Sequence, residues 1–378
     1  ADEVRLLAEA LKDGGVQVWQ DVRDLGAERV MPEIRRELEH PDTVGAVLWV
    51  TPEAGYSEVV LGLEIPRSFE RGREGGFFVL PVAAGGLPWQ TVVAIGRKTR
   101  IVGKLDEWNI EDAADPMTTE AATRLARRVL RERFRQIHDA LPAWDPLEIG
   151  LYARPDAHAG RDHHHLLDWR HRFDGQEARP GAWEEHLLPA LYNLVYGVAT
   201  RAPGRPIHAR GLISLAAATA LGEAFQEPRG VELGWWQDSG GRETLWSLRE
   251  EEEDSGFTAE VEDGDPGSED VALCLSVGED VKPFLQASQD DLPSFRQRIF
   301  LERQGDYPHE LTPGEAVHLA RLTIRTLRDH LPFRRAHLFL AGPVGLAVLV
   351  GRLLDPIPEV QTYELVAGKY RPAALLRP

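Results

Sequence analysis

Apolar positions in the first hundred residues switch between a helical and a strand period. Val4, Leu7, Ala8 and Leu11 fall at helical spacing, and Gly14-Gly15 supplies a stop. Residues 16–19 (VQVW) then alternate like a strand that ends at Gln20-Asp21. Val30, Ile34 and Leu38 form one stripe of a second amphipathic helix, with Arg35 and Arg36 outside it. Residues 44–50 are almost continuously apolar, the pattern of a parallel strand covered on both faces. A short helix from Ser57 to about Ile65 precedes a further strand at 77–80, and Pro66 is expected to end or kink that helix. Strands and helices alternating at this spacing predict an open parallel sheet. Asp115-Pro116 opens a long helix with Leu125, Val129, Phe134 and Ile137 on its buried stripe. The stretch 141–146 (LPAWDP) follows as a domain boundary.

Beyond the boundary one plan runs twice. Strand 147–152, helix 183–198, the segment 207–211 leading into the small-residue helix 215–225, and strand 231–235 make the first round. Strand 271–277, helix 315–331, the segment 337–343 leading into helix 346–354, and a closing strand at 360–365 make the second. The two small-residue helices correspond, each with a glycine, Gly222 or Gly351. The expected fold class is α/β: an N-terminal domain over 1–143, then two Rossmann-like halves at about 144–262 and 263–378.

Charge and cysteine content narrow the function. A formal net charge of −18 argues against binding long DNA or RNA, yet leaves room for a small anion in a locally basic pocket. The one cysteine, Cys274, lies in an apolar run, which fits a buried thiol in a reducing cytoplasm and excludes an internal disulfide framework. The apolar run 344–350 is too short to span a bilayer, so a soluble cytoplasmic protein without membrane partners is expected. His163-His164-His165, with His158 and His171 nearby, cannot all converge on one ion from a regular element, and no metal is expected there.

Glu64 shares a helix face with Val60 and Ser57 and falls just before Pro66, where a carboxylate in a last turn meets an unfavourable dipole. Taken alone it reads equally as a solvated surface residue. The segment 11–21 (LKDGGVQVWQD), strand 44–50 ending in Thr51-Pro52, and Tyr56-Ser57 followed by Glu64 resemble a TIR domain in register. The resemblance implies a flavodoxin-like parallel-sheet fold and makes Glu64 the catalytic carboxylate of an NAD+ glycohydrolase, with Asp21 and Ser57 near the NAD+. The Trp-Cys pair usual before that Glu is Val60-Leu61 here. TIR domains also open with a strand before the first helix, so pocket residues from that strand are expected to lie outside this sequence. Asp21 reads equally as a cap or turn residue.

Gly211 and Gly342 stand at strand-to-helix turns, where backbone N–H groups and a helix dipole favour an anion, although small residues there also allow plain helix–sheet packing. The segments 337–354 and 360–378, with Tyr363 and Tyr370-Arg371-Pro372, look like the end of a SAVED domain; 207–222 and 231–237 look like its middle. This resemblance implies a duplicated CARF-like sensor of cyclic oligonucleotides such as a cyclic oligoadenylate. Candidate contacts are Arg154, Arg210, Gly211, Trp235, Gly342, Pro343, Lys369 and Arg371, against core packing for Trp235 and solvation for the last two charges. The combined resemblance implies a CBASS-type anti-phage effector: nucleotide binding drives self-association, and the TIR part depletes NAD+, which is substrate and not cofactor. A TIR scaffold without chemistry is the alternative.

Overall fold

The computed structural model describes residues 2–20, 30–98, 109–154 and 163–378. They form two compact units, one of Ala1–Leu141 with Tyr196–Arg201, the other of Pro142–Val195 with Ala202–Pro378.

In the first unit, helices α1 (Asp2–Asp13) and α2 (Val30–Glu39) precede strand β1 (Gly45–Val50). Strands β2 (Phe78–Ala83) and β3 (Glu111–Asp112) complete a parallel sheet ordered β1-β2-β3. All of β2 is buried because both faces are covered. Phe78, Leu80 and Val82 share a core with Leu7 and Leu11 of α1 and with Leu125 and Val129. Val79 and Ala83 pack on the other side with Ile65 and Phe69 of α3 (Ile65–Glu74) and Val92 of α4 (Trp89–Lys98). The long helix α5 (Thr119–Ala140) is capped by the Thr118 hydroxyl, which accepts from the Ala121 N–H.

Two expectations are corrected here. Residues 16–20 form no strand; the Val16 N–H turns back to the Leu11 carbonyl at 2.9 Å and serves the end of α1. Asp21, the residue after them, lies outside the described residues. Pro66 does not end its helix either. A π-helical turn, Val60–Glu64, runs directly into α3, with the Ile65 N–H bonded to the Val60 carbonyl. Pro66 falls in the first turn of α3, where its missing N–H costs little. Glu64 therefore lies within one continuous helical segment, residues 58–74, and not in a last turn.

The second unit holds two sheets. The first is ordered β10-β9-β8-β4-β5, with β4 (Leu147–Tyr152), β5 (His165–Asp168), β8 (Ile207–Leu212) and β9 (Leu233–Ser239) parallel. Strand β10 (Arg242–Ser247) is antiparallel at its edge. Between β5 and β8 lie the small hairpin β6 (Phe173–Asp174) and β7 (Glu177–Ala178), a second π-helical turn Trp183–Leu187, and α6 (Leu188–Arg201). The second sheet is ordered β11-β13-β12-β14-β15-β16. Its parallel strands are β12 (Asp270–Ser276), β13 (Gln297–Glu302), β14 (Arg335–Ala341) and β15 (Val360–Val366).

Antiparallel strands close both edges of the second sheet. Strand β11 (Thr258–Asp263) is exposed throughout and carries acidic residues, which protect an edge from further pairing. Residues 258–262 thus belong to the second sheet, although the sequence reading assigned them to the first half. Strand β16 (Lys369–Leu376), not 360–365, forms the other edge. It turns back through Ala367 (φ 49°) and Gly368 (φ 79°), the positive pair of a type I′ hairpin. Helix α7 (Leu215–Ala224) follows β8; α8 (Lys282–Ala287), α9 (Pro313–Asp329) and α10 (Val344–Arg352) belong to the second half.

Helices α7 and α10 cross at glycines that occupy the same eighth position in each. A Cβ on Gly222 would lie 2.1 Å from the Val348 carbonyl oxygen, and one on Gly351 would lie 2.2 Å from that of Thr219. Arg352 adds a polar lock. Its buried guanidinium donates to the carbonyls of Phe225, Leu233 and Val231 at 3.1, 3.0 and 2.8 Å. Gly222→Ala is expected to destabilise the second unit by about 1–3 kcal/mol through overpacking, despite the better helix propensity of alanine. Thermal melting of the full chain checks this; an unchanged or raised transition would show that the crossing tolerates a methyl group.

Candidate ligand site at the paired helix ends

The crossing brings the starts of α7 and α10 into equivalent settings, each behind the carboxyl end of a parallel strand. That end of an open α/β sheet is where ligands collect. Ser214 caps α7, its hydroxyl accepting from the Ala217 N–H at 3.2 Å. Pro343 stands at the same point before α10 and offers no side-chain cap.

Each helix start also receives a side chain from the opposite half. The Ala216 N–H donates to Glu364 Oε1 at 3.2 Å, and the Gly345 N–H donates to Gln237 Oε1 at 2.9 Å. Ala216 and Gly345 are the second residues of their helices; Gln237 and Glu364 are the fifth residues of β9 and β15. The duplication is therefore reciprocal: each half holds the other half's helix end. Its chemistry is unequal, with a carboxyl on one side and an amide on the other. Glu364 is half-buried, and burial pushes its pKa up to about 7 against hydrogen bonds from Ser214 and Ala216 and the charge of Arg154.

The residues expected from sequence are placed as follows. Arg154 follows β4 and is close enough to Glu364 to act on it electrostatically. Gly342 and Pro343 lead into α10, and a Cβ on Gly342 would meet Val277 at 3.2 Å. Gly211, at φ 152°, is demanded by the backbone, because a Cβ there would lie 1.7 Å from the Leu151 carbonyl oxygen. Lys369 and Arg371 sit on β16 and pair with Asp291 at 3.1 and 3.6 Å. Of these groups, Arg154 approaches Glu364 by its charge and Arg371 faces it as its register partner.

Arg210 and Trp235 lie elsewhere. Arg210 is on the half-open face of the first sheet, bonded to Glu148 at 3.3 Å and Glu243 at 3.4 Å, over the ring of Trp236. Two carboxylates share its charge there. Trp235 is 2% exposed; register beside Ala209 turns it into the core and leaves no face for a base. The histidine run is structural as well: the Glu148 N–H donates to His164 Nδ1, the Tyr152 hydroxyl meets His163 Nε2 at 3.2 Å, and His165 is buried. Among the described residues no group of three His, Cys, Asp or Glu side chains could hold a metal ion. No helix among them is long and apolar enough to cross a membrane.

In the first unit, Glu64 is half-buried at the junction of the π-helical turn and α3. The Ser57 hydroxyl accepts from the Val60 N–H at 3.3 Å and so supports that turn. Sequence reasoning missed Ser214, Gln237 and Glu364. For Glu364 a signal was present, a single carboxyl between the apolar Tyr363 and Leu365 of β15; Gln237 stands beside Asp238 and carries no such mark.

No curated protein sequence matches the chain. Among solved structures it is similar to the Acinetobacter baumannii Cap4 SAVED/CARF-domain receptor with the cyclic trinucleotide 2′3′3′-cAAA. That match has 16% identity and a TM-score of 0.54, over 88% of this chain and 89% of that one. The same receptor with 3′3′3′-cAAA matches at 14% identity and a TM-score of 0.54, over 100% and 98%. At such identities the likeness shows a shared fold. The family model described as "SMODS-associated and fused to various effectors sensor domain" matches residues 191–376. The chain thus carries a SAVED sensor domain over residues 191–376.

Proposed function

We propose that this protein is a nucleotide-gated defence effector whose SAVED unit receives a cyclic oligonucleotide of the cyclic tri-adenylate class. The observation that carries this reading is the reciprocal pair of helix starts, α7 and α10, held behind parallel strand ends by a glycine crossing. A ring of several phosphates and bases suits a duplicated site, and the Cap4 receptor that shares this fold was solved with such rings. Arg154, Lys369 and Arg371 supply local positive charge within a protein of net charge −18. Titration calorimetry of the full chain with 3′3′3′-cAAA and 2′3′3′-cAAA should give saturable binding, abolished by a bulky residue in place of Gly342. Heatless titrations across micromolar protein would remove the reading.

The first unit is the effector in this proposal, a TIR-type domain that hydrolyses the N-glycosidic bond of NAD+. Nicotinamide leaves as a neutral molecule from a pyridinium, so no general acid is needed, in contrast to ordinary glycosidases. The remaining task is to stabilise an oxocarbenium-like ribosyl cation. Glu64 suits it as a half-buried carboxylate at a π-helical turn, a backbone feature frequent at functional sites. Ligand-driven self-association of the SAVED units would switch the enzyme on, which requires the ligand to favour the assembled form. Glu64→Gln is expected to lower NAD+ cleavage by about 10²–10³-fold while nucleotide binding persists. If the activated Gln variant matches the wild type, or neither cleaves NAD+, the unit acts as a recruiting scaffold instead.

A further inference from the structure

The two helix starts are alike in backbone but not in charge. At α7, resident oxygens from Ser214 and Glu364 accept two of the first N–H groups, those of Ala217 and Ala216. At α10 the cap residue is proline, and the single cross-half cap is the neutral amide of Gln237. A carboxylate occupies the place where an anion would dock on α7, and it repels a second anion there. An amide oxygen carries no such charge and can be exchanged for phosphate at smaller cost.

From this asymmetry we infer that Glu364 is a specificity residue that excludes phosphate from the α7 end, so that a cyclic nucleotide seats its phosphate at the Gln237–Gly345 end. The inference rests on the receptor reading above and adds an orientation to it. The groups facing Glu364 are few. From α7 come the Ser214 hydroxyl and the Ala216 N–H; from the end of β4 comes Arg154. From β16 comes Arg371, its register partner, itself paired with Asp291.

The arrangement has a pH signature. With burial holding the free-protein carboxyl near 7, a nearby phosphate ring raises it further by like charge. Binding then takes up a proton above pH 7, and Kd rises with pH, approaching tenfold per unit between the free and bound values. Glu364→Gln keeps an oxygen for the Ala216 N–H and removes the charge; Gln237→Glu places a charge at the other end.

The test is calorimetry of the full chain with 3′3′3′-cAAA at pH 6.5, 7.5 and 8.5, using buffers of different ionisation enthalpy. Wild type should weaken about tenfold across this range with net proton uptake. Glu364→Gln should bind about tenfold more tightly than wild type at pH 8.5 and lose the pH slope, whereas Gln237→Glu should weaken binding about tenfold or more. Wild-type binding that is flat in pH, or a Gln variant no tighter than wild type at pH 8.5, overturns the inference while leaving the receptor reading intact. Should Glu364→Gln fail to fold, a Gln237→Glu protein that binds as tightly as wild type overturns it equally. No binding by any of the three proteins at any pH overturns the receptor reading and this inference together.

Discussion

The approach of two backbones at Gly222 and Gly351 governs the rest of the second unit. Each missing Cβ lets one helix come within contact of the other's carbonyl oxygens at Thr219 and Val348. Five alanines in α7 and the small residues of α10 keep the side chains along these helices short. Once the axes meet there, both helix starts are fixed relative to the strand ends, and the fifth residues of β9 and β15 reach the opposite helix. Arg352 reinforces the crossing from one side only, because its counterpart at the ninth position of α7 is Glu223. That carboxylate accepts from the Tyr192 hydroxyl at 2.9 Å and is pushed upward in pKa by burial. Backbone packing is thus duplicated while the polar chemistry around it has diverged.

Much of this architecture was legible in the residue pattern, because burial on both faces writes continuous apolar runs. Strand Leu147–Tyr152 was read with its observed bounds, and helices α7 and α10 within a residue or two. The paired glycines were visible too, although their reason, carbonyl contact across the halves, required the fold. What failed had local causes. Residues 16–19 alternate in polarity but find no ladder partner among the described residues, and a helix-end hydrogen bond claims Val16. Pro66 was read as a stop because a π-helical turn leaves no periodic trace in sequence. At the site, Arg210 looked available because Glu148 and Glu243, distant in sequence, meet it only in the sheet, from neighbouring β4 and from β10 beyond β9. Trp235 and Trp236 could not be told apart until register chose which one faced the core.

Electrostatics explain how a protein of net charge −18 can host a polyanion. Long-range attraction is lacking, so affinity must come from short-range, partly dehydrated contacts, where fixed N–H groups and guanidinium forks act without a basic surface. Most exposed cations are paired locally, as Lys369 and Arg371 are with Asp291. Such pairs are worth little for stability at a surface. They do hold the side chains in place, and an incoming phosphate can share the cations without unfolding the hairpin that carries them.

Reciprocal capping also bears on how binding in one place can alter the whole unit. A ligand shifts a conformational equilibrium only by contacts that differ between its states. Here each helix start is held in part by a side chain of the other half, so a ligand that replaces the Gln237 cap removes a tie between halves and substitutes its own. A ligand that leaves the Glu364 cap in place keeps the second tie. Close-packed backbones at the crossing, and Arg352 bonded to three carbonyls beside it, hold the two helices together whichever cap is exchanged. Unequal caps on an otherwise equal pair of helices therefore make the two ties between the halves chemically distinct, one held by an amide and one by a carboxyl.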